Sequence, residues 1–410
     1  MMLCYERIRV SGKGTALMEQ DKATRLSDVA QATLASLLRL GEATRKDVAH
    51  DVGISFPTVT AALAELGAEG MVGELRREQG ARGRATIVYG VSDAAGWVLG
   101  VDVGSTQVSV LARSLAGAVL ARESVRHQGE PVAAGALAGK LASDVIARRR
   151  TGPLRAVAMA LNQIVPRIFT EAGASRPISL AIVERFAAEV GLDPVPVLVE
   201  NNVNCAAVAE HQAGRMEGRD DAAYMQIGVG IGLGFFCDGT LIRGGQGASG
   251  ELAQIPISWS ADIASPRNAI EEAFGSIGLV ETAKRAWPAG ETAPQSSEEL
   301  FALGEAGHGT ALAVMRRHAV ALARIAAAAA TVLDPSVLVL GGGLARNATF
   351  TKMIADEFAE RNLRTAIEVT DRGGDATVEG AAILARDLAL SRLLNHHYRP
   401  LLARPTVWMP

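Results

Sequence analysis

Residues 98–112 read VLGVDVGSTQVSVLA, an alternating apolar stretch interrupted by one glycine turn. The pattern predicts a strand that closes near Asp102, a turn at Gly104, and a second strand after the turn. Two further glycine-rich turns follow predicted strands later in the chain, IGVGIGLG at 227–234 and LGGGLA at 340–345. A single cluster of this kind is usually only a turn, so the succession of three carries the information.

Phosphate chemistry accounts for such a succession of turns. Backbone N–H groups that glycine leaves accessible can hold phosphate oxygens, and an aspartate at a strand end can hold a metal ion. The pattern indicates an α/β fold of the actin-like, ribonuclease H-like ATPase type, with two lobes and a nucleotide cleft between them. The candidate residues of this nucleotide loop are Asp102, Gly104, Thr106, Gly228, Gly230 and Gly342.

The remaining pattern fills in the two lobes, which we place at 97–214 and 220–394, with a tail at 395–410. The predicted strands are Val98–Val103, Gln107–Ala112, Val119–Val125, Leu154–Leu161, Val195–Glu200, Ala222–Gly230, Gly232–Gly239 and Val337–Leu340. The predicted helices are Pro131–Arg150, Ile178–Val190, Asn201–Gly214, Asn268–Ala286, Ser297–Thr331 and Glu379–Leu394. We expect the alanine-rich part of the Ser297–Thr331 helix to lie in the core or at a subunit contact.

A separate domain precedes these lobes, at residues 25–92, after a tail at 1–24. Three short helical segments each begin after a capping residue, and two short strands follow them. The caps are Ser27, Thr44 and Ser55, and the strands are Met71–Leu75 and Ala85–Val91. Three helices followed by a hairpin predict a winged helix-turn-helix.

The charge of this domain is concentrated in the loop between its two strands. Residues 76–84 contain four arginines and one glutamate, a net charge of +3, whereas residues 1–90 as a whole carry +1. A basic wing suits a DNA backbone or narrow minor groove, and the start of the third helix suits the major groove. The candidate DNA-binding residues are Ser55, Thr58, Thr60, Arg76, Arg77, Arg82 and Arg84. The alternative is a helix-turn-helix that serves only as a packing unit or binds another protein.

Composition excludes several other classes of protein. The 410 residues are 49% hydrophobic and 21% charged with a net charge of −3, unlike a disordered chain. The three cysteines are scattered and form no CxxC pair, so we expect neither a disulfide framework nor a zinc cluster. The adjacent His396 and His397 have no further ligand close in sequence, and we predict no metal site and no cofactor. No apolar stretch is long enough to span a membrane and no signal-peptide pattern is present, which predicts a cytoplasmic protein.

Three segments make the resemblance to a known family specific. VENNVNCAAVAE at 199–210 resembles the segment that reads E-N-D-x-N in sugar kinases of the ROK family, whose repressors share the same actin-like domain. GQGASGELA at 245–253 resembles the family segment that ends in GE-[IL]-G-H, and GRAT at 83–86 resembles the wing signature of its repressors. From about Ser27 to Leu394 the chain is similar to ROK-family transcription regulators, including the xylose and N-acetylglucosamine repressors.

The chain departs from the kinases of that family at the residues that perform catalysis. The resemblance implies that the catalytic base, an aspartate in the kinases, is replaced by Asn202, whose amide cannot accept a proton. The phosphate loop lacks its second glycine and its lysine, and Gly228-Val229-Gly230 stands for G-T-G. The family histidine corresponds to Gln254, and no CxCGxxGC zinc ligands follow between Ile255 and Asn268. We therefore predict that the chain is not an enzyme; an active sugar kinase with a regulatory DNA-binding head is the alternative.

A site that keeps its polar groups but lacks its base suits a sensor. The resemblance implies effector contacts at Asn201, Asn202, Glu251, Gln254 and Glu271, with a sugar, a sugar phosphate or a related polar molecule as ligand. The alternative is a vestigial pocket in a structural scaffold. We predict a regulator of carbohydrate metabolism, acting as a repressor, that binds a double-stranded operator as a homodimer or higher homo-oligomer.

Overall fold

The computed structural model describes residues 26–79, 85–149, 151–167, 177–192, 194–256, 268–361 and 364–409. The chain divides into two compact units. The first comprises the described parts of Met1–Gln163, Arg167–Glu200 and Ala381–Pro410, and the second those of Ile164–Pro166 and Asn201–Gly380. No helix in these described ranges combines the length and the apolarity needed to cross a membrane.

The first unit begins with three short helices and a small sheet. Its elements are α1 (Asp28–Leu40), β1 (Ala43–Thr44), α2 (Arg45–Val52), α3 (Phe56–Ala68), β2 (Val72–Gln79) and β3 (Ala85–Val91). The core between the helices consists of apolar side chains at helical spacing that are almost fully buried: Leu34, Leu37, Val48, Val59, Leu63 and Leu66. This is the winged helix-turn-helix arrangement that the sequence predicts.

All three predicted helix caps are confirmed. Ser27 Oγ accepts a hydrogen bond from the Ala30 backbone N–H at 3.2 Å. Thr44 and Asp47 form a reciprocal capping box, and Ser55 Oγ accepts from the Thr58 N–H at 3.3 Å. These bonds satisfy backbone donors that a helix start otherwise leaves unpaired, so the caps fix where α1, α2 and α3 begin.

The wing differs from the prediction in two respects. The first wing strand was expected to end at Leu75, but β2 continues to Gln79 because its polar half still pairs with β3. Arg76 and Arg77 therefore lie on a strand and not in a loop. The sheet also has a third strand, since β1 pairs with β3 and the strand order is β1-β3-β2.

The rest of the chain continues in alternating strands and helices. As far as α6 the elements are β4 (Trp97–Val103), β5 (Gln107–Ser114), β6 (Val119–Arg126), α4 (Pro131–Arg148), β7 (Leu154–Leu161), α5 (Ile178–Val190), β8 (Val197–Asn201) and α6 (Asn202–Ala213). Then follow β9 (Ala222–Ile227), β10 (Ile231–Cys237), β11 (Thr240–Leu241), α7 (Ala269–Phe274), α8 (Ser276–Ala286), α9 (Ser297–Glu305), α10 (Gly309–Leu333), β12 (Val337–Gly341), α11 (Ala348–Ala359), β13 (Ala366–Val369), α12 (Ala376–Leu394) and β14 (Thr406–Trp408). Short 3-10 helices are η1 (Asp93–Ala95), η2 (Leu252–Gln254), η3 (Leu344–Arg346) and η4 (Asn395–His397).

Each unit has one large sheet. In the first unit the strand order is β14-β8-β7-β4-β5-β6, with β4 parallel to β7 and antiparallel to β5. In the second unit the order is β11-β10-β9-β12-β13, with β12 parallel to both of its neighbours. The alanine-rich face of α10 is buried in the core of the second unit, as expected, because small side chains allow close packing.

The predicted helices Asn268–Ala286 and Ser297–Thr331 are each interrupted. The first divides at Gly275 into α7 and α8. The second divides into α9 and α10 near Gly307, whose φ of 90° is incompatible with a continuous α-helix. Elements α11 and β13 had not been predicted.

The two units also differ from the lobe boundaries expected from sequence. Helix α6 belongs to the second unit, because Val203 and Ala207 pack directly against the glycines of β10. Residues 381–394 of α12 belong to the first unit, where the backbone of Ala382 packs against β4. Residues 395–410 were expected to be a tail, but β14 pairs antiparallel with β8.

Asp102 lies near the end of β4, the strand between β5 and β7. Its neighbours across the sheet are Ser109 of β5 and Ala160 of β7. The Oδ1 atom is buried and has no hydrogen-bond partner among the described residues. Burial raises the pKa of Asp102 to about 7, because removal from water disfavours the charged carboxylate.

We expect Asp102→Asn to stabilise the protein in a pH-dependent manner. The pKa of Asp102 is higher in the folded than in the unfolded chain, so the folded state is favoured while this group is protonated. The wild-type free energy of unfolding therefore falls as the pH rises from about 4 to about 7. The variant should gain up to about 4 kcal/mol of unfolding free energy above neutral pH and little below pH ~4. Urea denaturation of both proteins over this pH range measures the gain, and a gain independent of pH would contradict the assignment.

Candidate functional sites

The first turn of α3 brings together the three hydroxyl residues predicted to contact DNA. Ser55 Oγ lies 2.7 Å from Thr58 Oγ1, and Thr60 Oγ1 donates to the Phe56 carbonyl at 2.9 Å. These bonds serve the helix itself. Each hydroxyl oxygen nevertheless has two acceptor positions, so the turn retains polar capacity toward a ligand.

Phe56 stands beside these hydroxyls and was not singled out from the sequence. It is the first residue of α3, and 53% of its surface is exposed although Val59, Leu63 and Leu66 on the same helix are buried. A phenyl ring at the start of a recognition helix can contact the methyl group of thymine in the major groove. The available signal was its position, directly after the cap and before Pro57 in the first turn.

The arginines of β2 differ in how strongly acidic neighbours hold them. Arg76 pairs with Glu42 and, at 2.9 Å, with Glu78, and these two carboxylates raise the pKa of Arg76. Among the described residues Arg77 pairs with Glu74 alone, at 3.1 Å, and 68% of its side chain is exposed. The charge that the wing can offer to a phosphate is therefore smaller than the sequence count suggests.

Two of the predicted DNA-binding residues, Arg82 and Arg84, lie outside the described residues. Their role stays a prediction from the sequence.

The first nucleotide-loop segment forms a tight hairpin between β4 and β5. The Gly104 N–H donates to the Gln107 carbonyl at 3.1 Å, and the His127 N–H donates to the Thr106 carbonyl at 3.0 Å. His127 Nε2 also lies 3.0 Å from the Gly104 carbonyl oxygen. The Gly104 amide is thus used within the turn.

The second and third glycine clusters lie side by side in the second unit. The Gly228 N–H donates to the Gly230 carbonyl at 3.0 Å, which closes the turn from β9 to β10. Gly342 has a φ of 91°, and a Cβ atom there would lie 2.5 Å from the Ile227 carbonyl oxygen. Only glycine tolerates both conditions. The second and third glycine clusters are therefore adjacent, as a shared phosphate site would require.

Asn201 and Asn202 stand at the start of α6. Asn201 Oδ1 accepts from the Val203 and Asn204 N–H groups at 2.8 and 3.3 Å and so caps the helix. Asn202 is the first residue of α6 and is half-buried. The cap therefore occupies the side-chain carbonyl oxygen of Asn201.

Two predicted effector residues, Glu251 and Glu271, lie within the second unit, and the charge of Glu271 acts on Glu251. Burial raises the pKa of Glu251, and the charge of Glu271 raises it further. Burial likewise raises the pKa of Glu271, against the lowering effect of a hydrogen bond from the Ile231 backbone. A Cβ atom on Gly230 would lie 3.3 Å from Glu271 Oε2, which places this carboxylate beside the glycine turn.

Gln254 is less well placed than these two glutamates. It lies at the end of η2, three residues after Glu251, and its side chain is exposed. The structure therefore brings Glu251, Glu271 and Gly230 together, and shows no direct bond from Gln254 to them among the described residues.

A known protein family matches the part of the chain that follows the winged helix. The sequence profile of the ROK family matches residues 98–388. The bifunctional enzyme NanE/NanK of Brucella melitensis is 30% identical over 203 residues, which cover 49% of this chain and 37% of the enzyme. The xylose repressor of Bacillus subtilis is 25% identical over 237 residues, covering 55% of this chain and 60% of the repressor. The chain thus spans less than two thirds of the length of either relative.

Solved structures share the fold. A ROK family transcriptional regulator, a homologue of the E. coli MLC protein, superposes with a TM-score of 0.69 at 18% identity and covers 90% of this chain and 99% of its own. A ROK family glucokinase from Streptomyces griseus, solved with glucose and AMPPNP, has a TM-score of 0.58 at 23% identity and covers 71% of this chain and 99% of its own. With the family profile matched over more than half of its length, the chain belongs to the ROK family.

Proposed function

We propose that this protein is a ROK-type transcription regulator, acting as a repressor, whose winged helix binds a double-stranded DNA operator. The observation that carries the proposal is the capped and exposed start of α3, in a domain whose strand β2 carries the exposed Arg77. The wider match to the regulator structure supports it, since that fold extends over 90% of the chain and the glucokinase fold over 71%. One relative is itself named a xylose repressor.

DNA recognition would divide between α3 and the wing. The hydroxyls of Ser55, Thr58 and Thr60, with Phe56, suit base edges in the major groove, whereas Arg77 suits the phosphate backbone. One winged helix reads only a half-site, so we propose a homodimer on a palindromic operator. Such a regulator acts in the cytoplasm, where its operator is.

Replacing Arg77 tests the proposed wing. We expect Arg77→Ala to weaken operator binding and to make the salt dependence shallower by about one counterion, because one phosphate contact is lost. Arg76→Ala should weaken binding less, since two carboxylates already hold Arg76. Fluorescence anisotropy with operator DNA at several salt concentrations measures both quantities.

The matched control is Arg361→Ala, which removes another exposed arginine that pairs with a glutamate, Glu357, far along the chain from the winged helix. It should leave the operator affinity unchanged. Equal losses for Arg77→Ala and Arg361→Ala would show that the wing makes no specific phosphate contact.

We further propose that the second unit binds a small neutral sugar or related polyol as effector. It is supported by the half-buried carboxyl groups of Glu251 and Glu271, whose pKa values burial raises, and by the half-buried Asn202 at the start of α6. A polyol supplies hydroxyl donors to the carboxylates, whereas a sugar phosphate would bring a negative charge toward two acids. Effector binding would then shift the protein between forms of different DNA affinity.

A ligand screen with variants tests this site. A stabilising sugar should raise the thermal midpoint of the wild type, and Glu251→Gln or Glu271→Gln should reduce that shift because each loses a carboxylate acceptor. Glu272→Gln is the matched control, since Glu272 is the exposed neighbour of Glu271 on α7. Equal shifts in all four proteins would contradict the proposed contacts, and stabilisation by sugar phosphates alone would contradict the preference for neutral ligands.

We propose no catalytic role for this domain. The resemblance places Asn202 at the position of the kinase base. The amide nitrogen of Gly104 is held within its own turn. We expect the purified protein to show no ATP-dependent phosphorylation of sugars in a coupled ADP-release assay, with the same result after addition of operator DNA. A robust rate that requires both ATP and a sugar would contradict this and favour a kinase with a regulatory head.

A further inference from the structure

Three potential metal ligands meet where the winged helix contacts the C-terminal segment. Asp28 is the first residue of α1, and His396 and His397 belong to η4, which follows α12. His396 Nε2 lies 3.2 Å and His397 Nε2 3.0 Å from the same oxygen, Asp28 Oδ1. The sequence had offered two adjacent histidines with no third ligand; the fold supplies one from a residue more than three hundred positions away.

This is the only group of three or more such side chains in the described part of the chain whose ligand atoms come together. One ligand atom from each residue lies within 4.8 Å of the others. The two imidazole rings lie 4.1 Å apart between centroids and are inclined by 38°. They therefore approach the carboxylate together without stacking in parallel.

The backbone on both sides of this group is held in place. Ser27, immediately before Asp28, donates from its N–H and its hydroxyl to the Glu65 carboxylate at 2.6 Å each. Asn395, immediately before His396, has a φ of 49° and donates from Nδ2 to Gln31 Oε1 at 3.0 Å. Because both segments are anchored by neighbours outside the group, its geometry does not depend on the three side chains alone.

The distances suit a tetrahedral ion of zinc size. Zinc binds histidine nitrogen at about 2.0–2.1 Å and carboxylate oxygen at about 2.0–2.2 Å, which places neighbouring ligand atoms about 3.3–3.5 Å apart. The separations of 3.2 and 3.0 Å need only a small adjustment to reach this value. Two imidazoles with one carboxylate favour zinc and similar transition ions over calcium or magnesium, which prefer oxygen.

Exposure leaves room for the remaining coordination position. The side chains of Asp28 and His396 are 68% and 72% exposed, whereas that of His397 is 22% exposed. Water can therefore complete the coordination, and an ion can enter from solvent without unfolding of the protein.

We propose that Asp28, His396 and His397 form a zinc-binding site that ties α1 of the winged helix to the C-terminal segment. The site is separate from the sugar-linked residues in the second unit and does not depend on the proposed DNA-binding function. A bound ion would cross-link two segments far apart in sequence and stabilise their contact, because it binds only when both are in place.

The test uses the untagged full-length protein, freed of metal by chelation, with Zn²⁺ itself as the probe. Isothermal titration near neutral pH should detect one zinc site per chain, and zinc should raise the thermal midpoint reversibly with chelator. Asp28→Asn and the double variant His396→Ala/His397→Ala should each bind at least about tenfold more weakly and lose the thermal shift. His50→Ala, which removes another exposed histidine from the winged helix, should behave as the wild type.

Controls separate loss of the site from loss of the fold. In chelator the Asp28→Asn variant should unfold at nearly the wild-type temperature, since Asp28 is 68% exposed. The double variant removes the largely buried His397, so its zinc shift is measured against its own unfolding temperature in chelator. Weak binding at other exposed groups, such as the thiol of Cys237, would persist in every variant. Failure of the wild type to bind zinc, or equal binding by the wild type and the Asp28 and histidine variants, would overturn the proposal and leave a hydrogen-bonded group only.

Discussion

The close approach of α12 to its neighbours is the packing constraint that positions Asp102 of β4 and the start of α6. In the first unit, a Cβ atom at Gly100 of β4 would lie 2.7 Å from the Cα atom of Ala382. In the second unit, a Cβ atom at Gly380 would overlap the carbonyl oxygen of Cys205 in α6. Backbone cannot yield as a flexible side chain can, so glycine is needed at both contacts. Because β4 carries Asp102 and α6 begins at Asn202, this packing positions Asp102 within the first unit and Asn202 within the second.

Electrostatic pairing changes how the wing can be understood. Counting residues gives a strongly basic segment, but Glu42 comes from the turn after α1 and neutralises part of it. Exposed ion pairs of this kind contribute little to stability, so a phosphate group could displace them at small cost. The acids would then lower the affinity for any DNA at physiological salt and leave discrimination to the first turn of α3, where Phe56 and the hydroxyls lie.

Local signals in the sequence were sufficient for much of the fold. The strand Leu154–Leu161 and the helix Ile178–Val190 were predicted to the residue, because turn residues bound a continuous apolar run and an amphipathic pattern. The capped helix starts were equally predictable, since a cap is a local interaction. Strand β14 was missed because its partner β8 lies some two hundred residues earlier in the chain. The polar half of β2 was missed because apolar and polar residues do not alternate in it.

The candidate sites likewise divide into features that local sequence shows and features that depend on long-range contacts. Motif positions located Glu251, Glu271 and the glycine turns, yet the sequence could not show that Asn201 caps α6 or that Gly104 closes its own hairpin. Nor could it place Asp28 beside His396 and His397, since that contact depends on how the C-terminal segment returns to α1. Burial, long-range pairing and competition for hydrogen bonds decide such details, and none of them is encoded in spacing alone.

In the proposed sensor, the second unit keeps the acids Glu251 and Glu271 but has Asn202 where the resemblance places the base of the kinases. Burial raises the pKa values of Glu251 and Glu271, so each carboxylate is less stable there than in water. A ligand that donates hydroxyl hydrogen bonds would offset this cost, and its binding would be coupled to the state of the site. In a kinase, part of that binding energy is used to reach a transition state. In the regulator proposed here, with Asn202 in place of a base, the whole of the ligand's binding energy would be available to shift a conformational equilibrium.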